Sequence, residues 1–188
     1  MSDALAFAGC ALAIGVGATA VMDAWALVRK RCFGVPPLDY ALVGRWLGHL
    51  ARARVRHAPI AASPRVPRVP RVPRVPRVPR VPGERAIGWA AHYLIGVAFA
   101  ALLLALRGVG WAGEPTLAPA LAVGIGSVAA PLFVMQPAMG AGIAASRTPR
   151  PGAARFHSIV AHAAFGVGLY GAGCAANRLG VPALLGIG

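Results

Sequence analysis

Apolar residues fall in four long runs along the chain, and shorter stretches between them hold almost all of the charge. Each run has about 20 residues or more, the length that a helix needs to cross a hydrocarbon core of about 30 Å. A segment in lipid must satisfy its own backbone hydrogen bonds, so helices are expected. We predict an all-α four-helix membrane bundle in a single domain of residues 1–188, with spans at about 4–28, 86–106, 117–138 and 156–176.

The third predicted span is the least regular of the four. Pro119, Pro131 and Pro137 each lack a backbone N–H, so we expect them to kink the helix. A compact bundle is still expected, because small residues recur at helical intervals and allow helices to approach closely in lipid. The small residues in these patterns are Gly9, Ala13, Gly17, Gly88, Gly96, Ala100, Ala164, Gly168 and Ala172.

A shorter amphipathic segment follows the first span, at about residues 39–52. Asp39 comes after two prolines and is a plausible N-cap. Tryptophan and tyrosine suit the headgroup zone of a bilayer, so this pattern predicts an interfacial helix on the cytoplasmic side. Its apolar arc is Leu42, Val43, Trp46, Leu47 and Leu50, and its polar arc is Arg45, His49 and Arg52.

Residues 64–82 consist of six Arg-Val-Pro copies bounded by prolines. A proline at every third residue removes backbone donors, so we expect a disordered or polyproline II loop rather than a helix or strand. If fully extended as polyproline II, the tract would span roughly 55 Å. It could serve as a cationic rod against anionic lipid headgroups. A repeat expansion in a tolerant loop is the favoured alternative.

Composition and charge placement support a membrane location. The chain is 57% hydrophobic, has a mean hydropathy of +0.65 and carries a net charge of +14 from 19 basic and 5 acidic residues. This is too apolar for an ordinary soluble domain, and the charge indicates no nucleic-acid partner because it lies between apolar runs. Residues 29–85 hold 14 Lys/Arg and residues 147–155 hold three, against Arg107 and Arg178 on the other side. We predict a bacterial inner-membrane protein with both termini outside.

Four polar residues inside the predicted spans are candidates for an intramembrane site: Asp23, His92, Gln136 and His162. Asp23 lies six residues before Arg29, which is roughly 9 Å along a helix. The two histidines lie seven residues after an arginine, so alternating topology places them at the same cytoplasmic level. Such a cluster could relay protons, hold a small cation or bind a polar solute. Alternatively, these groups bond to one another and only fix helix register.

No cofactor and no metal are predicted. Asp23, His92 and His162 are suitable ligand types, but no metal-binding spacing or enzyme motif accompanies them. Two function classes remain: a transport or binding protein that uses the polar cluster, and a non-catalytic accessory or scaffold protein. A membrane enzyme that acts on lipid is a distant third. The expected partners are the lipid bilayer and its anionic headgroups, with a homo-oligomer or a membrane partner left open.

Six motifs occur in order along almost the whole chain: residues 19–25 (TAVMDAW), 38–46 (LDYALVGRW), 83–85 (GER), 88–93 (GWAAHY), 133–140 (FVMQPAMG) and 146–149 (SRTP). Together they resemble a family of uncharacterised bacterial multipass inner-membrane proteins, a domain of unknown function. The resemblance implies a multipass location and no assigned activity. The Arg-Val-Pro tract departs from the family pattern, where a short proline-containing link would be expected.

Overall fold

A computed structural model describes residues 3–51, 53–56 and 78–186 of the chain. Within these ranges all regular structure is helical, and four helical segments are long and apolar enough to cross a membrane. The predicted fold class is therefore confirmed. The helices are α1 (Asp3–Phe33), α2 (Tyr40–Leu50), α3 (Glu84–Arg107), α4 (Leu117–Gly126), α5 (Gln136–Ala138), α6 (Pro151–Arg178) and α7 (Val181–Leu184), with 3₁₀ turns at Val109–Ala112 and Ile143–Ala145 and a π-helical turn at Pro131–Met135.

Helix α1 continues past the apolar run that predicts it. It continues through the basic residues 29–31, because lysine and arginine are good helix formers, and it ends at Phe33. Gly34 follows with φ +65° and donates its N–H to the Lys30 carbonyl at 3.2 Å, an arrangement that ends helices. The basic residues therefore mark the end of the apolar run and not the end of the helix.

The third apolar segment, Leu117–Ala138, is interrupted as its prolines predict, but not at every one of them. Helix α4 ends at Gly126, and Pro131 begins the π-helical turn. Pro131 has no N–H for the carbonyl four residues earlier, which explains an interruption here. Pro119 does not kink α4, and that prediction is wrong. It lies in the first helical turn, where backbone N–H groups have no partner within the helix.

The chain divides into two compact units. We call Met1–Leu38, His92–Val128 and Phe156–Gly188 the first unit, and Asp39–Ala91 with Ala129–Arg155 the second unit. The expected single domain stays a prediction. The core of the first unit consists of tightly packed side chains from α1, α3, α6 and the loop after α3, chiefly Cys10, Ile14, Leu103, Leu104, Trp111, Phe165 and Leu169.

Glycines bring the helices of the first unit into close contact. A Cβ on Gly15 of α1 would meet the backbone of Val97 in α3, and a Cβ on Gly168 of α6 would lie 2.8 Å from the Ala18 carbonyl oxygen. Gly124 of α4 is equally close to the backbone of α6. Gly17 and Gly168 lie at close helix contacts, as predicted for the small residues of these spans, whereas Ala13, another of the predicted small residues, is exposed.

In the second unit, α2 forms where the amphipathic pattern predicts a helix. Asp39 is its N-cap, and its carboxylate accepts the Ala41 N–H at 3.0 Å. Gly44 of α2 and Gly88 of α3 are the contact points of the two helices, since a Cβ on either would meet the other helix's backbone. Arg45 also binds Glu84, the first residue of α3, through two hydrogen bonds of 2.8 Å.

The two described residues of the polar arc of α2, Arg45 and His49, are not exposed to solvent. His49 is 3% exposed, and its Nε2 donates to the Pro79 carbonyl at 2.9 Å. One turn earlier, the Trp46 indole N–H donates to the Val55 carbonyl at 3.1 Å. Val78 packs against the small apolar cluster formed by Trp46 and Ala138. Most of the Arg-Val-Pro tract lies outside the described residues, so its predicted conformation stays a prediction, but its last residues pack on α2.

Candidate intramembrane polar site

The position of Asp23 follows from the periodicity of α1. Gly15, Thr19 and Asp23 lie at intervals of four residues and therefore share one face of the helix. Thr19 is 1% exposed, and its hydroxyl donates to the Gly15 carbonyl at 2.7 Å. A Cβ on Gly96 of α3 would collide with this hydroxyl. The face that carries Asp23 is thus packed directly against α3.

Two side chains of α3 donate to the Asp23 carboxylate. His92 Nε2 lies 3.0 Å from Oδ1, and the Tyr93 hydroxyl lies 3.1 Å from Oδ2. The His92 side chain is 12% exposed and the Asp23 side chain 20%. The two donor rings meet edge to face, with centroids 5.6 Å apart. We call Asp23, His92 and Tyr93 the carboxylate cluster.

The carboxylate cluster joins an acidic side chain to a basic one. A histidine can carry its proton on either ring nitrogen, and the bond to Asp23 requires a proton on Nε2. An imidazolium beside a carboxylate is an ion pair, and a neutral imidazole beside it is a hydrogen bond. The cluster can therefore gain or lose one positive charge without breaking the contact between α1 and α3.

His162 lies on α6 and uses one of its ring nitrogens locally. Its Nδ1 donates to the Ser158 carbonyl at 2.8 Å, one turn earlier in the same helix. The side chain is half-buried. Its participation in the carboxylate cluster stays a prediction.

Gln136 belongs to the second unit, whereas the other three predicted site residues belong to the first. It opens α5, directly after the π-helical turn. Its side-chain oxygen is buried and has no hydrogen-bond partner within the part of the chain that the structure describes. The predicted place of Gln136 in the cluster stays a prediction.

A family model described as Protein of unknown function (DUF2938) matches residues 12–176. The chain belongs to the DUF2938 family. The match includes all four predicted site residues, and it confirms the resemblance to an uncharacterised family. No curated protein and no solved structure matches this DUF2938 chain.

Tyr93 is the residue of the DUF2938 carboxylate cluster that sequence reasoning does not single out. Adjacent helix positions point about 100° apart, so the neighbour of His92 is expected to face elsewhere. Both side chains reach Asp23 because the carboxylate offers two oxygens on different sides. The motif of residues 88–93 does end in His92-Tyr93, and this adjacent pair of donors is the signal that could have indicated Tyr93.

The described residues of the DUF2938 chain contain no group of three or more His, Cys, Asp or Glu side chains placed to hold a metal ion. The chemistry that the geometry offers is that of one carboxylate with two hydrogen-bond donors. This chemistry suits a proton or a small cation that exchanges with a proton.

Proposed function

We propose that this chain is a multipass bacterial inner-membrane protein that conducts a proton or a small cation at the carboxylate cluster. The observation that carries the proposal is the 3.0 Å bond between Asp23 of α1 and His92 of α3. Both helices are long and apolar enough to cross a membrane. Ionisable side chains within such helices are costly and are found mainly at ion and proton pathways.

The partner of Asp23 supports a functional role over a purely structural one. A carboxylate between two helices needs donors, and serine, threonine or asparagine would supply them without titrating. Asp23 is paired instead with histidine, the side chain whose charge changes most readily near neutral pH. Protonation of this pair changes its charge inside the apolar region, as proton or cation coupling requires.

The proposed orientation places the carboxylate cluster near the cytoplasm, with both termini outside. It is supported by the excess of Lys/Arg in residues 29–85 and 147–155. Within the first unit, the Arg29 side chain at the C-terminal end of α1 bonds to the His157 carbonyl near the start of α6. The end of α1 and the start of α6 therefore lie at one end of the unit, as the proposed topology requires. The arginine-rich segment would face anionic lipid headgroups.

An accessory or scaffold role is the second candidate. Both oxygens of the Asp23 carboxylate already accept hydrogen bonds from α3, so the group is satisfied without a solute. The close glycine contacts of α1 with α3 and α6 also indicate tight, fixed packing. In this role the protein would act through a membrane partner or a second copy of itself.

Flux through reconstituted protein distinguishes the two candidates. The full chain is placed in liposomes that contain a pH-sensitive dye, and a potassium diffusion potential is applied with and without a sodium gradient. We expect flux with the native chain and its loss in D23N, because the amide removes the titrating carboxylate. The matched control is E114Q, the same chemical change at an exposed residue of the loop after α3.

Two results would contradict the proposal: native flux equal to that of empty liposomes, or D23N flux equal to native flux. If flux is absent and D23N lowers the unfolding temperature, the accessory role is supported instead. H92Q provides a second variant, because glutamine can still donate to Asp23 but cannot hold a proton. Loss of flux in H92Q with an unchanged unfolding temperature would show that His92 is needed for flux and not only for stability.

A further inference from the structure

Two N–H donors on the last turns of α1 are buried and have no acceptor among the described residues. They are the indole Nε1 of Trp25 and the guanidinium Nε of Arg29. Buried donors are rarely left without partners in folded proteins, because the lost hydrogen bonds with water are not replaced. A pair of them on one helix is therefore typical of a place where a ligand supplies the acceptor.

The two donors are carried by neighbouring positions on the surface of α1. Residues 25 and 29 are four apart, and side chains at this spacing are neighbours on a helix surface, with Cβ atoms about 5–6 Å apart. They lie roughly 200° and 240° around the helix from Asp23, at about 100° per residue. The pair therefore occupies a different face of α1 from the carboxylate cluster and does not form part of that site.

The positive charge of Arg29 also has no negatively charged partner among the described residues. Within the described chain, one of its terminal nitrogens bonds to the His157 carbonyl at 3.3 Å, a contact that is long and goes to a neutral acceptor. The salt bridges within the described residues are Arg45–Glu84 and His92–Asp23, and neither includes Arg29. A half-buried guanidinium with five donors and no described carboxylate partner is suited to an anion.

We propose that Trp25 and Arg29 form a binding site for a phosphate-type oxyanion at the end of the first apolar run. A tetrahedral oxyanion has acceptor atoms on several sides, so it can accept the indole N–H and the guanidinium N–H groups together. Arg29 is the first of three consecutive basic residues, the position where an apolar run meets the headgroup layer. The phosphate could come from a phospholipid headgroup or from free inorganic phosphate.

Binding to the full chain in detergent tests the site with three probes: phosphatidylglycerol, a phosphate-free diacylglycerol glycolipid, and inorganic phosphate. Native mass spectrometry measures lipid binding, and thermal unfolding measures the effect of each probe. We expect R29Q to weaken binding of a phosphate-bearing probe by about tenfold, since it removes a charged hydrogen-bond donor. K30Q is the matched control, because Lys30 is exposed and adjacent and the charge change is the same.

W25F gives a second variant that keeps an aromatic ring and removes only the N–H, so it tests the site even if R29Q folds poorly. Weaker binding in W25F with a native unfolding temperature supports the proposal. A response to phosphatidylglycerol alone identifies the lipid as the source, and a response to inorganic phosphate identifies the free ion. The proposal is overturned if R29Q and K30Q behave alike, or if neither phosphatidylglycerol nor inorganic phosphate binds more tightly than the glycolipid. Neither result depends on flux through the carboxylate cluster.

Discussion

Arg45 shows how a single pair of side chains can join several segments of the second unit. Its guanidinium makes two hydrogen bonds of 2.8 Å to Glu84, and both side chains are 14% exposed. One of the Glu84 oxygens also accepts the Val81 N–H at 3.2 Å. The hydrogen bonds to Glu84 raise the pKa of Arg45 above its ordinary value. The pair thus connects α2, the start of α3 and the end of the Arg-Val-Pro tract.

We expect E84Q to lower the free energy of unfolding by about 2 kcal/mol, because a charged hydrogen bond is lost and Arg45 keeps its partly buried charge. Thermal or denaturant unfolding in one detergent measures the change. E114Q should leave the unfolding transition unchanged, since Glu114 is exposed. The double variant R45Q/E84Q should lose less free energy of unfolding than the sum of the losses in the two single variants. Additive effects of R45Q and E84Q would show that the pair contributes nothing as a pair.

Residue-level prediction succeeds where a side chain is rare in its setting. Asp23 and His92 stand out because almost nothing else in their spans is polar, and the structure joins them by a hydrogen bond. The burial of His49 could not be predicted in the same way. A helical pattern shows which face is apolar, but the acceptor of His49 is a backbone carbonyl 30 positions later in the chain.

Helix contacts in the first unit depend on the absence of side chains at particular glycines. Gly168 lies against the backbone of Ala18, whereas a Cβ added at Gly171 on the same helix would have no described atom within 4 Å. Lipid gives helices little hydrophobic reason to associate, so van der Waals contact at such positions carries much of the association. The two glycines therefore have different roles despite their proximity in sequence.

G168A should destabilise the protein by about 1–3 kcal/mol, because the added methyl group would lie 2.8 Å from a backbone oxygen and force the helices apart. G171A is the matched control in the same helix, and it should leave stability unchanged or raise it slightly, since alanine is the better helix former. Denaturant unfolding of both variants in one detergent gives the comparison. Equal stability of G168A and G171A would show that the Ala18 contact does not limit packing.

Helix existence was predictable from run length alone, whereas the details of helix ends were not. Apolar residues are counted directly, but α1 extends to Phe33 because basic residues continue a helix as readily as they end an apolar run. Proline effects depend on position within the turn, so Pro119 leaves α4 intact and Pro131 coincides with a π-helical turn. The short helix Val181–Leu184 is missed because four residues carry no periodic signal.

Within the first unit, the long helices α1 and α6 run antiparallel to each other. Along α1 and α6, Arg29 bonds to His157 while Ala18 lies against Gly168, so residue numbers rise along one helix as they fall along the other. Along α1 and α3, Asp23 bonds to His92 while Gly15 lies against Val97, so these two helices are antiparallel as well. Alternating directions are what successive membrane spans require, and they supply the geometric basis for an orientation experiment.

Labelling of single cysteines tests the proposed orientation. Cys32 is exposed at the end of α1, and Glu114 is exposed in the loop after α3. With Cys10 and Cys174 replaced by alanine, an impermeant maleimide added to intact spheroplasts should label E114C in a chain that also carries C32A, and should leave native Cys32 unlabelled. Inverted vesicles should give the opposite pattern, because the positive-inside rule places Cys32 in the cytoplasm. The same labelling pattern for both sites would contradict the proposed topology.

Helix α2 holds the carbonyls of Val55 and Pro79 with side chains one turn apart, Trp46 and His49. Because Val55 and Pro79 are both held at one place on α2, the segment between them can change in length without moving either of them. Doubling a flexible loop between fixed ends costs only about 0.6 kcal/mol of closure entropy, and the sequence predicts such a loop for the Arg-Val-Pro tract. On that prediction, gain or loss of an Arg-Val-Pro copy by replication slippage would be nearly neutral for folding, while each copy would add or remove one unit of positive charge.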